Sequence, residues 1–142
     1  QLKKFIPIVD QLVAEYILGV EVEEYWDDDE VSRIGQALRK LTKKPIWVHR
    51  KTGLHGPWSW WKAQKWATGL AYQFNKADMK KPGFLAHPDD VAEETALYSS
   101  RLKSVGKKFL ASEYAWMRPE AKARALGKVA MKHGAFGFSN GG

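Results

Sequence analysis

Residues 39–66 read RKLTKKPIWVHRKTGLHGPWSWWKAQKW. How this stretch is divided decides the fold. Pro45 has no amide hydrogen and clashes with a preceding helical turn, so a helix arriving from the N-terminal side must stop there. Ile46-Trp47-Val48 is β-branched and aromatic, but three residues allow only a short strand or hairpin arm. Lys51-Thr52-Gly53 and Gly56-Pro57 are turn signals and place a loop between them. From Pro57 or Ser59 to about Asn75, Trp60, Ala63, Ala67, Leu70 and Phe74 recur at helical spacing, with Trp66 joining them. The segment then reads as a Trp/Lys-rich loop between two helices, and the chain is expected to be mainly α.

The flanking segments fit the same architecture. Ile8, Val9, Leu12, Val13, Tyr16 and Ile17 share one face of a helix that opens at Pro7 and closes before Gly19. Val31, Ile34, Leu38 and Leu41 form the stripe of a second helix, from about Asp29 to Lys43. Past the third helix, a fourth opens at Pro88 with Asp89 and Asp90 in its first turn. Its buried face is Val91, Thr95, Tyr98, Leu102, Val105 and Phe109, and it continues toward Trp116. A fifth runs from Pro119 to His133 and is closed by Gly134. The expected architecture is one compact domain of about five helices over 1–134, with an acidic 1–30 and a basic body over 31–134. A Gly/Phe-rich extended tail covers 135–142. No repeat or heptad run appears.

The 142 residues suffice for a single self-supporting core. There is no Cys, which removes disulfides, thiolate catalysis and Cys-ligated zinc or iron–sulfur centres. That suits a reducing, intracellular compartment, or an organelle if a targeting peptide was removed before Gln1. The most apolar stretch, Phe5 to Val22, is broken by Asp10, Glu15 and Glu21, so no transmembrane segment is expected. Charge is unevenly placed. Residues 1–30 hold two bases and nine acids, net −7, and residues 31–142 hold 21 bases and seven acids, net +14. The acidic run over 20–30 reads as a metal site, a strip that covers a basic surface, or a solvated linker in which Asp27 to Glu30 cap the next helix. It lacks the spacing of a calcium loop.

Residues 39–66 carry eight Lys and Arg, five Trp and no acid. Cations interleaved with indole faces suit a polyanion with bases to stack. The chain therefore reads as a non-enzymatic nucleic-acid-binding protein, favouring RNA or single strands, or a structural subunit of a ribonucleoprotein assembly. Arg39, Lys40, Lys43, Lys44, Arg50, Lys51, Lys62 and Lys65 are its candidate phosphate contacts, and Trp47 and Trp58 its stacking platforms. Trp60 and Trp66 are assigned to the core. No cofactor is expected. Two other readings stand beside it. One is an accessory or scaffold subunit of a large complex, at a membrane surface or elsewhere, docking partners through residues 20–30 and 135–142.

The other is a small nuclease or toxin. Arg50-Lys-Thr-Gly-Leu-His55 resembles the Arg-x4-His motif of the HEPN ribonucleases, which are compact helical proteins. The resemblance implies His55 as general base and Arg50 as the stabiliser of phosphate charge. His49, His55, Asn75 and His87 lack the regular spacing and flanking carboxylates of a His-Asn-His nuclease or a zinc site. Gly53-x-x-Gly56 is too short for a dinucleotide loop. The segment 125–139 offers the first half of a helix-turn-helix without a recognition helix.

Overall fold

A computed structural model describes residues 2–19, 22, 25–50, 58–74, 87–112 and 120–139. The chain is not mainly α. Among the described residues helix and strand alternate five times: α1 (Leu2–Val9), β1 (Tyr16–Leu18), α2 (Asp28–Arg39), β2 (Ile46–Arg50), α3 (Trp58–Ala63), β3 (Gly69–Gln73), α4 (Pro88–Ser104), β4 (Lys108–Ser112), α5 (Glu120–Lys132) and β5 (Gly137–Ser139). All the strands pair in parallel, in the order β1-β2-β3-β4-β5.

That order sets the layers. Crossovers between parallel strands are right-handed. When each strand is added on the same side of the last, every helix falls on one face, as in a barrel rather than a doubly wound sheet. The outer face accordingly packs Ile46, Val48, Leu70, Tyr72, Phe109 and Ala111 against Val31, Leu38, Val91, Leu102, Leu126 and Ala130 of the helices. The inner face carries a separate small cluster of Trp47, Ala71 and Leu110.

Three of the expected helices give up residues to strands, and so does the expected tail. Tyr16–Leu18 leaves the first helix and pairs with Ile46–Val48. Gly69–Gln73 leaves the third, and Gly69 sits where a Cβ would collide with the Lys108 carbonyl of β4, so close strand approach selects glycine there. The fourth helix stops at Ser104. Gly106 takes a left-handed φ of +73°, which turns the chain into Lys108–Ser112. The tail is part of the fold, since Gly137–Ser139 pairs with Leu110–Ser112 and Phe138 occupies the space above Gly127 of α5. Parallel strands buried on both faces read as short apolar runs without alternation. That is why helical periodicity could absorb them.

Helix α2 begins as its sequence suggests. Asp27 caps it, accepting from the Glu30 amide at 2.8 Å while Glu30 accepts from the Asp27 amide at 3.3 Å. This reciprocal cap leaves the acidic cluster at a positive helix end. No helix among the described residues is long and apolar enough to cross a membrane.

Candidate active site

A sheet with this winding has two unlike edges. Strand C-terminal ends and helix N-termini gather at one edge, and strand N-terminal ends and helix C-termini at the other. The charge pattern of the sequence follows that polarity. Arg39 and Lys40 end α2, Lys43 and Lys44 precede β2, Lys65 precedes β3, Lys103 ends α4, Lys107 and Lys108 open β4, and Lys132 ends α5. Asp28, Asp29 and Glu30 open α2, Asp89 and Asp90 open α4, and Glu120 opens α5. Bases thus mark the N-terminal edge of the sheet and acids its C-terminal edge, as helix dipoles favour.

Several of the basic candidates are structural. Arg39 donates to the Trp66 carbonyl at 2.8 and 3.1 Å, and to the carbonyls of Thr42 at 3.1 Å and Lys44 at 3.0 Å. The Lys44 ammonium donates to the carbonyls of Asp10 and Val13. Lys40, Lys43, Lys62 and Lys65 are exposed. Trp47 is fully buried, with its indole N–H donating to Glu15 at 2.7 Å and its ring 5.8 Å from Phe136, so it offers no face to a base. Trp58 is half-buried beneath the Arg101 guanidinium, 5.6 Å from the ring centroid. Trp60 and Trp66 join the outer core, as expected. Lys51, His55, Asn75 and the Gly53/Gly56 turn lie outside the described residues.

Arg50 is 2% exposed and faces the helical layer. It donates to Asp28 at 2.7 Å and lies 5.1 Å from the Trp60 ring centroid. The Trp60 N–H in turn meets the Asp28 carbonyl at 3.2 Å and Ser32 Oγ at 3.1 Å. This knot ties the end of β2 to the first turn of α2. The guanidinium is therefore committed on the outer side of the sheet, and no phosphate role follows from it.

The inner face shows what the sequence reading missed. Register places His49 beside Ala71, Ala71 beside Leu110, and Gln73 beside Ser112. These residues share a face with Trp47. At the N-terminal end that face is apolar: Trp47 meets Phe136, and the Lys108 ammonium sits 3.7 Å from the Phe136 ring centroid. At the C-terminal end it turns polar, with His49, Gln73 and Ser112 at 2, 7 and 3% exposure. Three buried polar side chains thus gather at one end of the sheet, where burial of polar groups is ordinarily costly.

The chain continues from β1 into Gly19-Val-Glu-Val-Glu-Glu24, and from β4 directly into Glu113. Glutamates therefore follow in sequence the C-terminal ends of two strands, β1 and β4. Next to the first group, Tyr25 and Trp26 are exposed at 73 and 36%. The available signal was a repeated pattern of a short apolar run ending in a polar residue: IWVHR, GLAYQ, KFLAS followed by Glu. Among the described residues, no three His, Asp or Glu gather in a way that could hold a metal ion.

No family model matches the sequence, and no curated protein matches it. Among solved structures, it is similar to a protein of Burkholderia cenocepacia J2315 assigned to the phosphonomutases, with a TM-score of 0.62 and 13% identity. The match covers 97% of this chain and 65% of that one, so the chain spans just under two thirds of its length. At that identity the likeness establishes an α/β, TIM-barrel-like fold and nothing finer. It overturns the helical nucleic-acid-binding and scaffold readings, which rested on the mainly α fold and on Trp47 as a stacking face, a ring that is buried.

Proposed function

We propose that this chain carries the catalytic edge of a barrel-type hydrolase that cleaves glycosidic bonds. The observation that carries the reading is the polar floor of His49, Gln73 and Ser112 at the C-terminal end of the inner face. It is flanked by two strands whose next segments bear Glu21, Glu23 and Glu24 on one side and Glu113 on the other. Enzymes of this architecture place their chemistry at that end. Glycoside hydrolysis needs two carboxyl groups roughly 5–10 Å apart. Strands β1 and β4 are three spacings apart, about 14 Å along a flat sheet, and closing a sheet toward a barrel brings such strand ends nearer to one another.

One carboxylic acid protonates the departing oxygen. The other carboxylate attacks the sugar carbon or deprotonates the incoming water, and the net reaction consumes one water and releases sugar and alcohol. Tyr25 and Trp26, next in sequence to the first glutamates, supply exposed aromatic faces suited to the C–H face of a pyranose ring. A neutral ligand also suits an edge where acids collect.

The test is a substrate panel on the full-length natural protein. We expect release of nitrophenol from aryl glycosides and none from ribonucleic acid. Phosphonates, the class suggested by the structural neighbour's name, form the competing arm. Turnover of a phosphonate with no glycoside cleaved contradicts the proposal.

A further inference from the structure

Gln73 stands apart from the other polar groups of the inner face. It is the last residue of β3, in register with Ser112 of β4, and more than nine-tenths buried. Its side-chain carbonyl Oε1 is buried yet accepts no hydrogen bond. A buried amide oxygen without a donor bears its full desolvation cost, and a core position would ordinarily be apolar. Among the described residues no donor reaches this oxygen. The neighbouring inner-face positions Ala71 and Leu110 are apolar, and the position belongs to the polar end rather than the Trp47–Phe136 end.

We infer that Gln73 Oε1 is the acceptor for one hydroxyl of a polyhydroxylated ligand seated on the C-terminal end of the inner face, and that it sets which hydroxyl pattern the site takes. The substrate class rests on the glycosidase reading, whereas the vacant acceptor does not. A site holding a buried acceptor discriminates strongly against a ligand lacking the matching donor, because the carbonyl then stays unsatisfied in the complex. Gln73 is thus a binding and specificity residue, not the acid or base.

Two measurements test this on the full-length protein. Saturation-transfer NMR and calorimetry with glucose, mannose, galactose and their monodeoxy analogues give binding, and thermal denaturation gives stability. Gln73→Leu is expected to weaken the preferred hexose roughly tenfold or more while barely changing the analogue that lacks the recognised hydroxyl. It is also expected to raise Tm, because an unsatisfied carbonyl is removed. Gln73→Met, unbranched and of similar length, should behave alike if Leu packs poorly. A fall in Tm with both variants, or equal weakening of parent and deoxy ligands, assigns the amide a structural role and overturns the inference. Absence of any hexose binding in the wild type overturns it as well. Hexose binding that depends on Gln73 without glycoside cleavage sinks only the glycosidase reading. Cleavage indifferent to Gln73 sinks only this one.

Discussion

Arg50 and Asp28 meet at 2.7 Å across the boundary between sheet and helices. The arginine side chain is 2% exposed and the carboxylate 36%, so the guanidinium is withdrawn from water while the carboxylate keeps part of its hydration. Removing one partner of such a pair leaves a charge that the fold must still hold. Asp28→Ala is expected to destabilise the protein by about 1.5–3 kcal/mol, read as a lower urea midpoint with an unchanged slope. An effect no larger than that of Asp29→Ala would show that the contact contributes little.

Glycine at position 35 is fixed by an indole. The Trp66 ring lies where a Cβ on Gly35 would fall, so α2 and the end of the α3–β3 connection approach through that absence. Exposed helical glycines gain stability when changed to alanine, but this one should lose about 1–3 kcal/mol from overpacking. A thermal scan of Gly35→Ala showing a higher Tm would mean that the ring is free to move aside.

Tyr72 makes the pH response at high pH predictable. Burial first, then the Glu94 carboxylate 3.0 Å from its hydroxyl and the neighbouring Tyr98, raise its pKa well above the ordinary value of 10.0. From about pH 10 the unfolded chain releases this proton and the folded chain keeps it. The unfolded state then binds fewer protons, and stability falls as pH rises. The contribution is complete below pH 10. Across pH 10–12 the stability gap between wild type and Tyr72→Phe should narrow by up to about 1.4 kcal/mol per pH unit. Parallel denaturation curves at pH 9 and pH 11 would contradict the assignment.

Part of this fold was legible in the sequence. The cap at Asp27, the start of α4 at Pro88 and the end of α5 before Gly134 follow from local chemistry, and each stands, whereas α2 ends at Arg39, well short of Pro45. The strands were not legible because Ile46–Arg50 and Gly69–Gln73 are buried on both faces. They show no alternation, and a five-residue apolar run fits either period. The Lys/Trp mixture misled for a related reason. Lysines at helix ends and indoles in the core are interleaved along the chain but segregated in space, since strand and helix direction sends them to different places. Sequence neighbours such as Trp47 and Arg50 end up on opposite faces of one sheet. The polar floor needed the register of three strands, and no single window contains it.

On the proposed reading the chemistry lies at the C-terminal edge of the sheet, where β1 and β4 lead in sequence into glutamates. The most direct measurement is kcat/KM for an aryl glycoside in Glu113→Gln, with circular dichroism showing an intact fold and Lys43→Gln as a control at the opposite edge. The account predicts a loss of about 10²–10⁴-fold or more for Glu113→Gln and unchanged turnover for Lys43→Gln. Full activity in Glu113→Gln, or loss only in the lysine variant, would place the reaction elsewhere and contradict it.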